Sequence, residues 1–341
     1  HVVTVLGNDG DDFIDVNSKA STTDDGDLLD IGAKLTVNAG SLKLVAAGTL
    51  GAATLVVDGG SFVNSTLEDL ANPIQFGATA GFSGGGKQNT GAVTLLANST
   101  VTFDGTTTLA GVISGAKSLT IAGLSNAQVT LSGTNTYTGG TTINGTTVIA
   151  GSLGAFGAGA IAVNLNATLD LGDFTLANAI TLTGGRIQAT SAGTTATLTT
   201  AQLTAQSGTI AAVITGTDFV KSGAGLLILD GLNTYTGSTT VTGGTLHITG
   251  ELSAVNDNYA STPTFASGLE LNGQTETITV TGSSPMGLIL SGVVQNVMNS
   301  VTPAGLVKAG NGSLVLSAAL AVLERFAGGV WSSSYDVLGS H

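Results

Sequence analysis

Hydrophobic positions in this chain come in short alternating runs rather than in helical stripes. Lys34-Leu-Thr-Val37, Leu42-Lys-Leu-Val45, Ala53-Thr-Leu-Val-Val57 and Ser61-Phe-Val63 each hold three to five residues, and Gly, Asn or Asp bounds each of them. The same rhythm continues through Ala160-Ile-Ala-Val163, Ala167-Thr-Leu-Asp-Leu171, Ile180-Thr-Leu182, Ala196-Thr-Leu198 and Thr209-Ile-Ala-Ala-Val-Ile214. Period-two alternation in runs this short predicts strands with one face inward, closely spaced as in a β-solenoid. Two stretches read differently. Thr66-Leu-Glu-Asp-Leu-Ala71, ended by Pro73, predicts a short helical excursion, and Leu320, Leu323 and Phe326 at three-residue steps predict a terminal helix stopped by Gly328-Gly329. The segment Val255 to Ser267 breaks the rhythm and predicts a projecting corner loop carrying Tyr259 and Phe265.

The pattern also repeats at long range. Leu131-Ser-Gly-Thr-Asn-Thr-Tyr-Thr-Gly-Gly-Thr-Thr-Ile-Asn-Gly145 returns as Leu229-Asp-Gly-Leu-Asn-Thr-Tyr-Thr-Gly-Ser-Thr-Thr-Val-Thr-Gly243, 98 residues on and without a gap. A strand ending in Val-Ile-x-Gly recurs at Leu109–Gly115 and Ile210–Gly216, and a Lys-x-Gly-x-Gly run into alternating Leu recurs at Phe219–Leu229 and Leu306–Leu316. In each copy Asn135 or Asn233 provides a turn-forming amide, Tyr137 or Tyr235 a bulky wedge over a corner, and Gly139 or Gly237 a sharp change of direction. These six residues are the expected structural repeat positions.

Composition narrows the class. At 42% hydrophobic the chain is too apolar for a disordered segment, and its 9% charged residues fall far below the ~25% usual for globular domains. Thr, Val, Leu and 51 Gly with only 4 Pro make an all-β composition. Net charge is −13, and the nine Lys and Arg are scattered singly, so no basic patch exists for nucleic acid or an anionic membrane. With no Cys there is neither a disulfide framework nor a thiolate nucleophile. No run of about 18 apolar uncharged residues occurs, so no transmembrane helix is expected. The sequence starts at His1 with no leader-like stretch ahead of it, which reads as a mature product or a fragment.

Candidate chemistry is sparse. Gly86-Lys87-Gln88 lacks the hydroxyl residue and following helix of a phosphate loop. His1, His247 and His341 form no ligand pair, the two Arg sit in no carboxylate constellation, and no Gly-x-Ser-x-Gly elbow occurs. Glycoside cleavage requires paired carboxylates, and outside the first 30 residues the acids are isolated. No enzyme is expected. Gly7-Asn-Asp-Gly-Asp-Asp-Phe-Ile-Asp15 does resemble the calcium nonapeptide of repeats-in-toxin proteins, with Asn8 in place of its second Gly. That resemblance implies Ca²⁺ held by Asn8, Asp9, Gly10 and Asp12, hard oxygen ligands from a tight turn; a solvated acidic turn is the bland alternative.

The three recurring segments together resemble the passenger-associated transport repeat of bacterial autotransporters, best over Phe219 to Leu246. The resemblance implies a right-handed parallel β-helix, secreted and displayed on the bacterial outer surface, while the family's membrane barrel has no counterpart in this sequence. The resulting expectation is an all-β solenoid in three parts: an acidic segment 1–30, repeats over 31–317, and a helical cap or docking segment 318–341. Phe326, Trp331 and Tyr335 are its expected interface residues. The expected function is a structural or adhesive surface protein that self-assembles into filaments or a layer. Two alternatives stand beside it: an adhesin passenger binding host or surface glycans through the loop near Tyr259 and Phe265, and a polysaccharide-active β-helix enzyme.

Overall fold

The strands pair in parallel, and the polypeptide winds as an all-β solenoid of about nine turns. The structure is a computed structural model. It describes residues 34–44, 50, 52–66, 68–123, 126–190, 196–231 and 234–235, and beyond these only strand positions at Val2–Val5 and between Thr239 and Ala327. The chain divides into two compact units, residues 1–180 with 190–195, and residues 181–189 with 196–341.

In the first unit three ladders run side by side. The first stacks Val2–Val5, Lys34–Val37, Thr54–Val57, Ile74–Phe76, Val93–Leu95 and Ile113–Ser114. The second includes Ser41–Leu44, Ser61–Asn64, Thr79–Ser83, Ser99–Phe103, Leu119–Gly123, Thr141–Asn144 and Ile161–Val163. The third includes Gln88–Asn89, Thr106–Leu109, Gln128–Leu131, Thr147–Ala150 and Thr168–Asp170. Register partners lie 19 residues apart for Leu55 with Ile74 and 22 apart for Leu119 with Thr141, which is the length of one coil.

Inward positions form columns because the register brings alternate residues of every coil to the same place. Phe62, Phe82 and Phe103 follow one another, with ring centroids 5.6 and 6.1 Å apart, and Phe76 meets Phe82 edge-on at 5.6 Å. All four are buried. Outward positions of the same strands carry hydroxyls, as in the column Thr79, Thr100, Thr120 and Thr142.

The second unit is built the same way. Thr197–Thr199 pairs with Val213–Thr215, Phe219–Lys221 with Thr239–Val241, and Leu226–Leu229 with Thr245–Ile248. The ladders continue through Thr275–Thr281 with Gly305–Ala309 and Leu288–Leu290 with Leu314–Leu316.

Three expectations from the sequence are corrected here. The described residues among 66–71 form no helix. The Asn64 side-chain oxygen accepts from Thr66 N at 3.0 Å and bonds the Thr66 hydroxyl at 2.8 Å, while Thr66 Oγ1 accepts from Glu68 N at 3.2 Å. These local bonds satisfy the backbone in a turn and so compete with the helix. Second, where a cap helix was expected, Leu320–Ala321 and Arg325–Ala327 are strands, in register with Val294–Gln295 and Gly305–Val307. Three-residue apolar steps over so short a run fit either element, and ladder pairing decides between them. The rest of 318–341, including Trp331 and Tyr335, lies outside the described residues. Third, Thr264–Phe265, inside the expected corner loop, is a strand paired with Ile289–Leu290. Among the described residues the only helix is a single 3₁₀ turn, Thr200–Gln202.

Candidate functional site

The repeat Leu131–Gly145 begins where the first ladder stops. Ile113–Ser114 is that ladder's last strand, and the next coil crosses the same face without forming a strand between Leu131 and Thr141. An irregular crossing would leave buried backbone groups of Ile113 unpaired, at about 1–3 kcal/mol each. Asn135 prevents this. Its Oδ1 accepts from Ile113 N at 2.7 Å, and its Nδ2 donates to Ala155 O at 2.6 Å. Asn135 N donates to Gly154 O at 2.9 Å and Thr136 N to Ile113 O at 2.8 Å. One buried amide therefore binds three successive coils.

Tyr137 follows on the inner side. Its ring is fully buried, and its hydroxyl pairs with Thr141 Oγ1 at 2.6 Å. Burial pushes the phenol up to about 12, against a smaller opposing effect of the Thr141 bond. It sits inside the coil, deeper than a wedge over the outside of a corner. Gly139 then passes so close to the preceding coil that a Cβ would overlap the Lys117 carbonyl and Ser118 N. Asn178 extends the same device one coil further, with Nδ2 donating to Gly157 O at 3.1 Å and Gly159 O at 2.7 Å.

The second copy shows the same arrangement in its described part. Tyr235 is buried and stacks on Phe219 with centroids 5.5 Å apart, and Thr234 N donates to Ile214 O at 2.9 Å, as Thr136 does to Ile113. Gly115 and Gly216, the glycines of the two Val-Ile-x-Gly segments, both have positive φ, +123° and +112°. Lys221 is buried, and its Nζ donates to Ser222 O and Gly223 O at 2.7 Å each, holding the Gly-x-Gly turn closed. Desolvation lowers its pKa from the ordinary lysine value. Asn233 and Gly237 lie outside the described residues.

The segments that recur in the sequence are thus brought together in space. Val-Ile-x-Gly lies beneath Asn-Thr-Tyr-Thr, and the aromatic at the head of the Lys-x-Gly-x-Gly run stacks on the tyrosine of the following segment. Comparison with protein-family profiles matches residues 126–150 and 219–248 to the passenger-associated-transport-repeat. The chain carries two copies of this autotransporter-passenger repeat. Comparisons with curated proteins and with solved structures give no match.

Outside the repeats, several polar groups of the described region are also engaged internally. Asp170, one of the isolated acids of the sequence, is buried; its Oδ1 accepts from Gly172 N at 2.9 Å and Thr190 N at 3.3 Å, and its Oδ2 bonds the Thr190 hydroxyl. Arg186 lies 3.7 Å from Asp230 in an exposed pair and donates to Gln188 Oε1 at 2.8 Å. Among the described residues no three His, Cys, Asp or Glu side chains converge, and the exposed large apolar residues are Leu and Val, with no aromatic among them. Sequence reading missed the bonding of Asn178 and Asp170, because their partners at Gly157, Gly159 and Thr190 are ones that only coiling brings near. It missed Lys221 because a lysine folding back on its own Gly-x-Gly turn leaves no spacing signal. Asn8, Asp9, Gly10 and Asp12 lie outside the described residues. Phe326 occupies a strand position opposite Leu306.

Proposed function

We propose that this chain is an autotransporter-type passenger, a secreted solenoid displayed at the outer surface of a bacterium, with a structural or adhesive role and no catalytic one. The observation that carries the reading is the use made of the repeat's polar side chains. Asn135, Tyr137, Thr141 and Lys221 are buried and bonded within the solenoid, so the repeat's chemistry serves the scaffold and leaves surface function to loops and ends. The two profile matches support the secretion route. The described residues include no helix long and apolar enough to cross a membrane.

Joined to a signal peptide and a translocating barrel in a Gram-negative host, the chain is expected at the cell surface, where added protease removes it. Retention inside the cell overturns the secretion reading. Assembly is tested separately by electron microscopy of the purified chain in calcium on the order of 5 mM, the scale of weak extracellular sites, and in chelator. Calcium-dependent filaments or sheets would support a structural polymer with Asn8, Asp9, Gly10 and Asp12 as its ionic switch. Single particles in both conditions count against polymer and switch alike, and favour the adhesive role.

A further inference from the structure

One inward column of the third ladder contains a residue that does not match its neighbours. Leu70, Asn89, Leu109, Leu131 and Ala150 succeed one another in register through consecutive coils, and all five are buried. Four are apolar and one is an amide. Asn89 Nδ2 donates to Thr108 O in the next coil at 3.1 Å, while its Oδ1, equally enclosed, accepts a hydrogen bond from no described group. Such an atom lowers stability, and a leucine of nearly the same size would remove the cost.

The strand carrying this amide is also unusual. Gln88–Asn89 has two residues, whereas Thr106–Leu109, Gln128–Leu131 and Thr147–Ala150, stacked beyond it, have four each. It follows the turn at Gly85 and Gly86, both at positive φ, +60° and +77°. The strand itself supplies only two register pairs with the next coil, Gln88 with Thr108 and Asn89 with Leu109, beside turn bonds such as Gly86 N to Thr106 O and Ala110 N to Asn89 O. Apolar contacts are non-directional, and a slide by two residues keeps the inside–outside alternation intact. Sliding one way would bring Lys87 into the buried column, which its charge opposes; sliding the other way brings Gly91, and nothing in the hydrophobic pattern opposes that error.

We propose that Asn89 is a register pin, a buried amide whose directed bond to Thr108 O fixes the short strand on its neighbour and accepts a stability cost in return. Buried amides serve this purpose in coiled coils, where one asparagine specifies alignment and weakens the core. In this solenoid the need is local, at the two-residue strand of the third ladder. A second side-chain bond anchors the preceding turn to the same neighbouring strand, since Gly84 N donates to Thr107 Oγ1 at 3.0 Å.

The test is Asn89→Leu in the full chain, read by thermal unfolding and by the backbone amide signals of residues 88–91 and 108–111. The expected result is an unfolding midpoint equal to or above that of the parent, with those signals split into more than one set. The double change Asn89→Leu with Leu109→Asn moves the amide one coil along, opposite Thr130 O, where it pins a four-residue strand and not the short one; the signals are expected to stay split, and a single set there also overturns the proposal. A single set of signals in Asn89→Leu overturns the proposal, whether the midpoint stays or falls. If that variant does not fold, Asn89→Met, an adaptable apolar side chain, takes its place with the same two outcomes.

Discussion

At the scale of single residues, the repeat's recurring side chains resolve into bonds with calculable consequences. Asn135→Ala leaves Ile113 N and Ala155 O buried without side-chain partners, a loss of about 2–6 kcal/mol at about 1–3 kcal/mol for each group. Denaturant midpoints at constant slope will show it. Tyr137 makes a pH prediction. Its folded pKa is about 12 against an ordinary 10, so the buried phenol strongly favours its neutral form. A raised folded value contributes stability that is intact below about pH 10 and lost as pH climbs toward 12. At about 1.4 kcal/mol per pKa unit the loss is about 2–3 kcal/mol. Between pH 9 and 12 the parent is expected to lose that amount more than Tyr137→Phe does, so that the two unfolding titrations converge and cross. At pH 7 the same variant costs about 1 kcal/mol, for the hydrogen bond lost to Thr141.

At the scale of the element, a coil is defined by how closely its backbone meets the next. Gly139→Ala places a methyl on the Lys117 carbonyl, backbone that has no flexible end to move aside. The expected net cost is about 2 kcal/mol, the backbone overlap outweighing the ~0.4–1 kcal/mol that alanine gains by restricting the unfolded chain, again read from denaturant midpoints. Element type was the least legible part of the sequence. Residues 66–71 and 318–327 contain helix formers at helical spacing, yet the first is a turn held by Asn64 and the second contributes strands at Leu320–Ala321 and Arg325–Ala327. Local pattern offered two answers there, and a side-chain bond in one case and a ladder in the other selected between them.

At the scale of the whole molecule, stability in a stacked architecture is close to a sum of coils and their neighbouring contacts. Ser99 stands in register with Leu119, so deleting residues 99–118 joins equivalent points of adjacent coils. The shortened chain is expected to keep a β-sheet circular dichroism spectrum and a cooperative melt at a lower midpoint, having lost Phe103 from the aromatic column. An unfolded product would mean the coils do not behave as separable units.

The sequence by itself determined the fold class and the identity of the repeat. Period-two alternation, glycine punctuation and the 98-residue recurrence are one-dimensional signals, written in the order of the residues. Only the tertiary structure decided what the polar residues are for. Asn135 bonds residues 22 positions before and 20 positions after it, Asp170 one 20 positions away, and Asn89 one 19 positions on. A hydrogen bond needs a partner within about 3 Å, and no pattern along the chain states which carbonyl one turn away will lie there. Winding settles that, because it turns a separation of one coil length into contact.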